Sequence, residues 1–138
     1  MNIGNQNKEY KTDGVFIYSC QYHVIFCTKY RRKVLINEIE ERLKELIIEK
    51  EDEYGYKVID METMPDHVHL ILDVNPRHDG IYRIVSKIKG LTSRTLRKEF
   101  KEVKSKIPTL WTHSRFISSV GAVSLDIVKK YIENQKNA

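Results

Sequence analysis

The run VFIYSCQYHVIFCT, residues 15–28, has fewer ways to fold than any other part of the chain. Its β-branched and aromatic side chains suit an extended, pleated backbone, so a long strand is expected. The period then changes. Ile36, Ile39, Leu43, Leu46 and Ile47 recur at three- and four-residue steps, the mark of an amphipathic helix. Beyond Gly55, YGYKVIDMETM reads as a second strand and DHVHLILDV as a third, joined by a short turn containing Pro65 and Asp66. NPRHDG breaks the chain before Ile81, Ile84, Val85, Ile88, Leu91 and Leu96, which mark a second helix with a basic outer face. Pro108 precedes a fourth strand, TLWTHSRFISSVG, ended by Gly121. The last element, SLDIVKKYIENQ, is helical, with Ser124 suited to cap its start.

This order, β-α-β-β-α-β plus one helix, predicts an α+β, ferredoxin-like (RRM-like) fold. Two helices should cover one face of an antiparallel sheet. The 138 residues suit one domain with one core. We expect a polar leader over residues 1–14 and a single domain over 15–138. Within it, 15–121 forms the core and 124–135 the C-terminal helix. No stretch approaches the roughly 20 apolar residues of a membrane span, and MNIGNQNKEYKTDG lacks the basic-then-apolar order of a signal peptide. The expectation is a cytoplasmic protein without membrane partners. Cys20 and Cys27 stand an odd number of residues apart on one strand. They therefore face opposite ways and read as small packing residues rather than a bridge.

The net charge of +5 is compatible with a polyanionic partner. Its distribution is more informative. KYRRK, Lys29 to Lys33, follows the first strand, and Lys87, Lys89, Arg94, Arg97, Lys98, Lys101, Lys104 and Lys106 crowd one later region. Acidic residues gather between Glu38 and Glu53. The basic regions could track phosphates or simply form solvated helix faces.

One strand carries an unusual pair. In DHVHLIL, His67 and His69 are two residues apart and must share a face, with Val68, Leu70 and Leu72 on the other. Side-by-side imidazoles are either ordinary hydrogen-bonded histidines or half of a metal site, which needs at least one more ligand. The final helix offers Tyr131 and Gln135, stacked on one face at i and i+4.

Taken together, YHVIFCTKYRRKVL, MPDHVHLIL, IVSKIKGLTSRTL, LWTHSRFISSVG and YIENQ resemble the small single-tyrosine HUH transposases of the IS two-hundred/six-oh-five group. These enzymes move insertion sequences as single-stranded DNA. The resemblance runs from about residue 18 almost to the end. It implies a divalent ion, Mg²⁺ or Mn²⁺, on His67, His69 and Gln135, a donor set of imidazoles and an amide oxygen that suits either ion. It also implies Tyr131 as the nucleophile, forming a 5′-phosphotyrosine that stores the phosphodiester energy. Fittingly, the chain contains no Walker-type phosphate loop.

Further implications concern partners. The resemblance implies binding of subterminal DNA hairpins and a homodimer whose active sites are shared between subunits. Candidate DNA contacts, chosen by position, are Lys29, Tyr30, Arg31, Arg32, Lys87, Lys89 and Arg94. Gly121 is the expected hinge before the tyrosine helix. Two other readings compete: a hairpin-binding module without catalysis, and a host-adapted transposase acting on repeated palindromes.

Overall fold

The computed structural model describes residues 11, 12, 14, 17–120 and 125–136. A small hairpin comes first, pairing β1 (Lys11–Thr12) with β2 (Ile17–Tyr18). The expected boundary after residue 14 thus falls inside this hairpin. The central antiparallel sheet follows, built from β3 (Gln21–Cys27), β4 (Tyr56–Met64), β5 (His67–Val74) and β6 (Phe116–Ser119). Its spatial order is β4-β5-β3-β6. Two helices, α1 (Asn37–Glu49) and the short α2 (Glu51–Tyr54), connect β3 to β4. The long α3 (Ile81–Glu99) and α4 (Lys101–Lys106) connect β5 to β6, and α5 (Leu125–Glu133) is the last element, stopping two residues short of the expected end at 135, where the chain turns. Because β5 lies between β3 and β4, the arrangement is the split βαβ expected from the sequence.

One face of the sheet forms the main core. Val24 and Phe26 of β3 and Val68, Leu70 and Leu72 of β5 pack against Ile39, Leu43 and Ile47 of α1 and Ile84, Val85, Ile88 and Leu96 of α3. Phe26 meets Trp111 edge-on, with ring centroids 4.6 Å apart. The Trp111 indole N–H donates to Thr92 Oγ1 at 2.9 Å, so this bulky side chain is buried without stranding its polar edge.

The fourth strand is shorter than its sequence suggested. Trp111 makes an isolated bridge to Thr28, yet the regular ladder begins only at Phe116. Between them, the carbonyls of Thr112, His113 and Ser114 turn towards a side chain of α3 instead of continuing the ladder. Gly121 and Ser124, the expected hinge and cap, lie outside the described residues.

Gly55 ends α2 in the left-handed region at φ 81°, and its N–H donates to Glu51 O at 2.9 Å. An added Cβ would run into the ring of His78. Gly55→Ala should therefore lower the urea unfolding free energy by about 1–3 kcal/mol. Adding His78→Ala should relieve the collision and leave about 1 kcal/mol of left-handed backbone cost. A Gly55→Ala protein as stable as the parent would refute this account.

Candidate active site

The β3–β5 register sets Ile25 opposite His69 and Cys27 opposite His67. Since Val24, Phe26, Val68 and Leu70 occupy the core face, His23, Ile25, Cys27, His67 and His69 share the other. The two histidines thus stand on one face as the sequence required, and that face is the one away from α1 and α3.

Each histidine has its own polar partner. His67 Nδ1 lies 2.8 Å from Asp66 Oδ1. The other Asp66 oxygen accepts from Arg31 Nε at 3.0 Å and Nη2 at 2.9 Å. Burial alone would raise the Asp66 carboxyl, but the His67 hydrogen bond and the Arg31 charge outweigh it and hold it below the ordinary range. A carboxylate on Nδ1 leaves His67 Nε2 available as a lone-pair donor, the arrangement common behind metal-binding histidines. His69 is buried, with its Nε2 3.3 Å from Nδ1 of the fully buried His23. Burial, reinforced by His23, pushes His69 down to about 4, and burial also lowers His23. Both rings are neutral at pH 7 and share one hydrogen between the facing nitrogens.

The last helix packs on this same face. Val128, Tyr131 and Ile132 of α5 cluster with Ile25 and Phe116. Phe116 is opposite Ile25, which is opposite His69, so the cluster adjoins the histidine strand across β3. The axes of β5 and β6 are two strand spacings apart, about 10 Å. The Tyr131 ring lies 5.3 Å from that of Phe116, and its hydroxyl is 2.9 Å from Ser114 Oγ. Burial raises the Tyr131 phenol above its usual range, more than the Ser114 hydrogen bond lowers it. Gln135 is buried, and its Oε1 accepts from Thr112 Oγ1 at 3.3 Å. Thr112 in turn donates its N–H to Cys27 O, opposite His67.

The donors therefore suit a divalent ion chemically: an imidazole backed by a carboxylate, a buried neutral imidazole and an amide. The Gln135 oxygen is occupied by Thr112 and does not contact the histidines. Among the described residues no group of three or more His, Cys, Asp or Glu side chains converges as a metal site.

The expected nucleic-acid contacts divide. Tyr30 is exposed and, with Arg31, adopts a left-handed backbone at φ 56° and 52°. Lys29 Nζ lies 5.0 Å above the Tyr30 ring. Arg32 and Arg94 are exposed, whereas Lys87 is paired with Asp79. Two expectations need correcting. Arg31 spends its guanidinium on Asp66, behind His67. Lys89 is buried, its ammonium held by the carbonyls of Thr112 at 2.7 Å, Ser114 at 3.1 Å and His113 at 3.4 Å. Burial, with Arg115 nearby, lowers Lys89 to about 8. Arg115 itself stacks 4.5 Å from the Tyr82 ring and donates to Ser86 Oγ.

Asp66, His23, Thr112 and Ser114 were not singled out as site residues from the sequence. Asp66 could have been, since an acid directly before a paired histidine is within reach of its ring. The others are brought in by register and by a loop, which leave no local pattern.

The neutral His69 makes a pH prediction for metal-free protein in EDTA. Its folded pKa lies below the unfolded value of about 6.5, so the unfolded chain takes up the proton first as pH falls. Its stabilising contribution is full above that value and is lost between pH 6.5 and about 4. Urea midpoints should drop over this window, and His69→Gln should drop less. Equal slopes in both proteins would rule out a buried neutral His69.

Known proteins resemble this chain over nearly its whole length. The family model described as Transposase IS200 like matches residues 16–135. The ISDra2 transposase TnpA of Deinococcus radiodurans is 36% identical over 129 residues, covering 92% of this chain and 91% of that protein. The transposase of insertion sequence element IS200 from Salmonella typhimurium is 24% identical over 124 residues, covering 86% and 81%. Among solved structures, a candidate transposase from Deinococcus radiodurans R1 matches with TM-score 0.82 and 32% identity, over 93% of this chain and 99% of that one. A REP-associated tyrosine transposase bound to a REP hairpin shares the fold, with TM-score 0.53 and 14% identity, over 94% of this chain and 67% of that one. A match of this extent leaves one assignment: the chain belongs to the IS200-like transposase family.

Proposed function

We propose that this transposase cleaves and rejoins single-stranded DNA at insertion-sequence ends, with Tyr131 as the nucleophile. The carrying observation is the common face: His67 and His69 on β5 and the Tyr131 and Gln135 side chains of the C-terminal segment all belong to the sheet face that α1 and α3 leave open.

The chemistry follows from these groups. The Tyr131 hydroxyl loses its proton and its oxygen attacks the scissile phosphorus. The bond to the 3′ oxygen breaks, and that oxygen takes a proton to become a free 3′-hydroxyl. The product is a 5′-phosphotyrosine. Rejoining reverses the polarity: a 3′-hydroxyl attacks the phosphotyrosine and the phenol regains its proton, so no ATP is needed. A phenol raised by burial is a poor nucleophile at neutral pH and must be activated in the substrate complex. A bound Mg²⁺ or Mn²⁺, held by His67, His69 and Gln135, would supply charge stabilisation at the phosphate. Asp66 fixes the His67 ring, and His23 fixes the His69 ring. Gln135 must give up its Thr112 contact or share its second lone pair to join them.

Hairpin DNA is the proposed partner. The fold shared with a protein solved on a REP hairpin supports this, as do the exposed Tyr30, Arg32 and Arg94. In this reading the protein acts as a homodimer with shared sites, and Gly121 is the joint that lets the tyrosine helix move between them.

The test uses both strands flanking the gene as single-stranded DNA, with Mg²⁺ or Mn²⁺, on denaturing gels. A metal-dependent covalent protein–DNA band should form, and should vanish in Tyr131→Phe and His67→Ala. Tight hairpin binding without a band would instead favour a non-catalytic binding module. Separately, Asp66→Asn should weaken Mn²⁺ binding by about 10–100-fold in calorimetry. Unchanged Mn²⁺ affinity would remove Asp66 from the metal site.

A further inference from the structure

Lys89 is a cationic side chain on the apolar stripe of α3, between Val85, Ile88 and Thr92, all buried. An ammonium there is costly unless each N–H finds an acceptor. Here its three N–H groups have three consecutive carbonyls to serve: Thr112, His113 and Ser114. Consecutive carbonyls in a regular strand point alternately to either side. Convergence on one cation therefore forces residues 112–114 out of the ladder, and β6 pairs with β3 only from Phe116.

Two of these three residues hold the C-terminal segment. Ser114 Oγ is 2.9 Å from the Tyr131 hydroxyl. Thr112 Oγ1 donates to Gln135 Oε1 at 3.3 Å and also reaches Ser114 O at 3.3 Å. Both of these contacts, from Tyr131 and from Gln135, end on the loop that Lys89 shapes. Among the described residues the apolar part of the dock is Ile25, Phe116, Val128 and Ile132 around Tyr131. Apolar contacts are non-directional, so the hydroxyl contacts fix where along the face the phenol sits.

We infer that Lys89 is a positioning residue for Tyr131: its ammonium gathers the 112–114 carbonyls, and the loop so formed presents Ser114 to the phenol on the last helix and Thr112 to the Gln135 amide just beyond it. Lys89 itself touches neither Tyr131 nor Gln135. It acts through the backbone, which explains why a lysine rather than a leucine occupies the stripe. A Leu or Met would fill the volume but leave three carbonyls without a shared donor.

The consequence for cleavage rests on the reading of Tyr131 as nucleophile; the consequence for its surroundings does not. The test follows ¹⁹F resonances in protein labelled with 3-fluorotyrosine, with Tyr131 assigned by its loss in Tyr131→Phe. It also follows the rate of covalent adduct formation and the affinity for flanking hairpin DNA. Ser114→Ala defines the resonance of a phenol released from the loop. Lys89→Met should move the Tyr131 resonance towards that position and slow adduct formation by about a hundredfold, a typical cost of misplacing a reacting group. Hairpin affinity should stay within about twofold, because the exposed Tyr30, Arg32 and Arg94 proposed to contact it are left unchanged. A Lys89→Met protein with the parental resonance and rate overturns the inference. Should Lys89→Met fail to fold, Lys89→Gln leaves an amide that can serve at most two of the three carbonyls. This variant must shift the resonance and slow adduct formation in the same direction, and parental behaviour in it overturns the inference equally. Parental protein that forms no adduct would defeat the nucleophile reading, while the resonance comparison would still decide the role of Lys89.

Discussion

The pairing of β3 with β5 is the constraint on which the molecule depends. Ile25 opposite His69 and Cys27 opposite His67 set every later choice of face. With side chains alternating, a one-residue slip would send both histidines into the core and Val68 and Leu70 to the opposite face. The burial of Val24, Phe26, Val68, Leu70 and Leu72 against α1 and α3 makes such a slip prohibitive. The hydrophobic core thereby acts as the alignment device for the candidate active site.

The sheet divides its labour. One face carries two helices and nearly all the large buried apolar side chains. The other carries imidazoles, a buried carboxylate at its edge and a small apolar cluster under α5. Among the described residues, α5 and the turn after it are held there by that cluster and by two hydroxyl contacts. The histidines, by contrast, are tied to rigid strands, and each ring has a partner that limits its rotation.

Electrostatics on this face follow from burial. Neutral imidazoles at His23 and His69 are what a water-poor surface favours, and neutral rings are the forms that can donate lone pairs to a cation. Arg31 offsets the charge of Asp66, so that carboxylate survives partial burial beside His67. Lys89 is the exception that its environment tolerates, because three carbonyl oxygens replace its lost water.

Much of this was legible in the chain itself. Period-2 and period-3.6 patterns specified the order of strands and helices, and the two-residue spacing of His67 and His69 required a shared face, because both depend only on local backbone geometry. The spacing of Tyr131 and Gln135 also suggested one shared helix face, but α5 stops at Glu133 and Gln135 stands in the turn beyond it. What the sequence could not decide was which groups from distant segments meet. That Lys89 and Arg31 turn inward rather than towards nucleic acid became visible only in the folded chain. So did the assembly of Asp66, His23, Thr112 and Ser114 around the candidate residues. A lysine on an apolar stripe is a local oddity, but its meaning depends on three carbonyls more than twenty residues away. Such contacts arise from strand register and loop closure, which couple positions remote in sequence and so have no periodic signature within it.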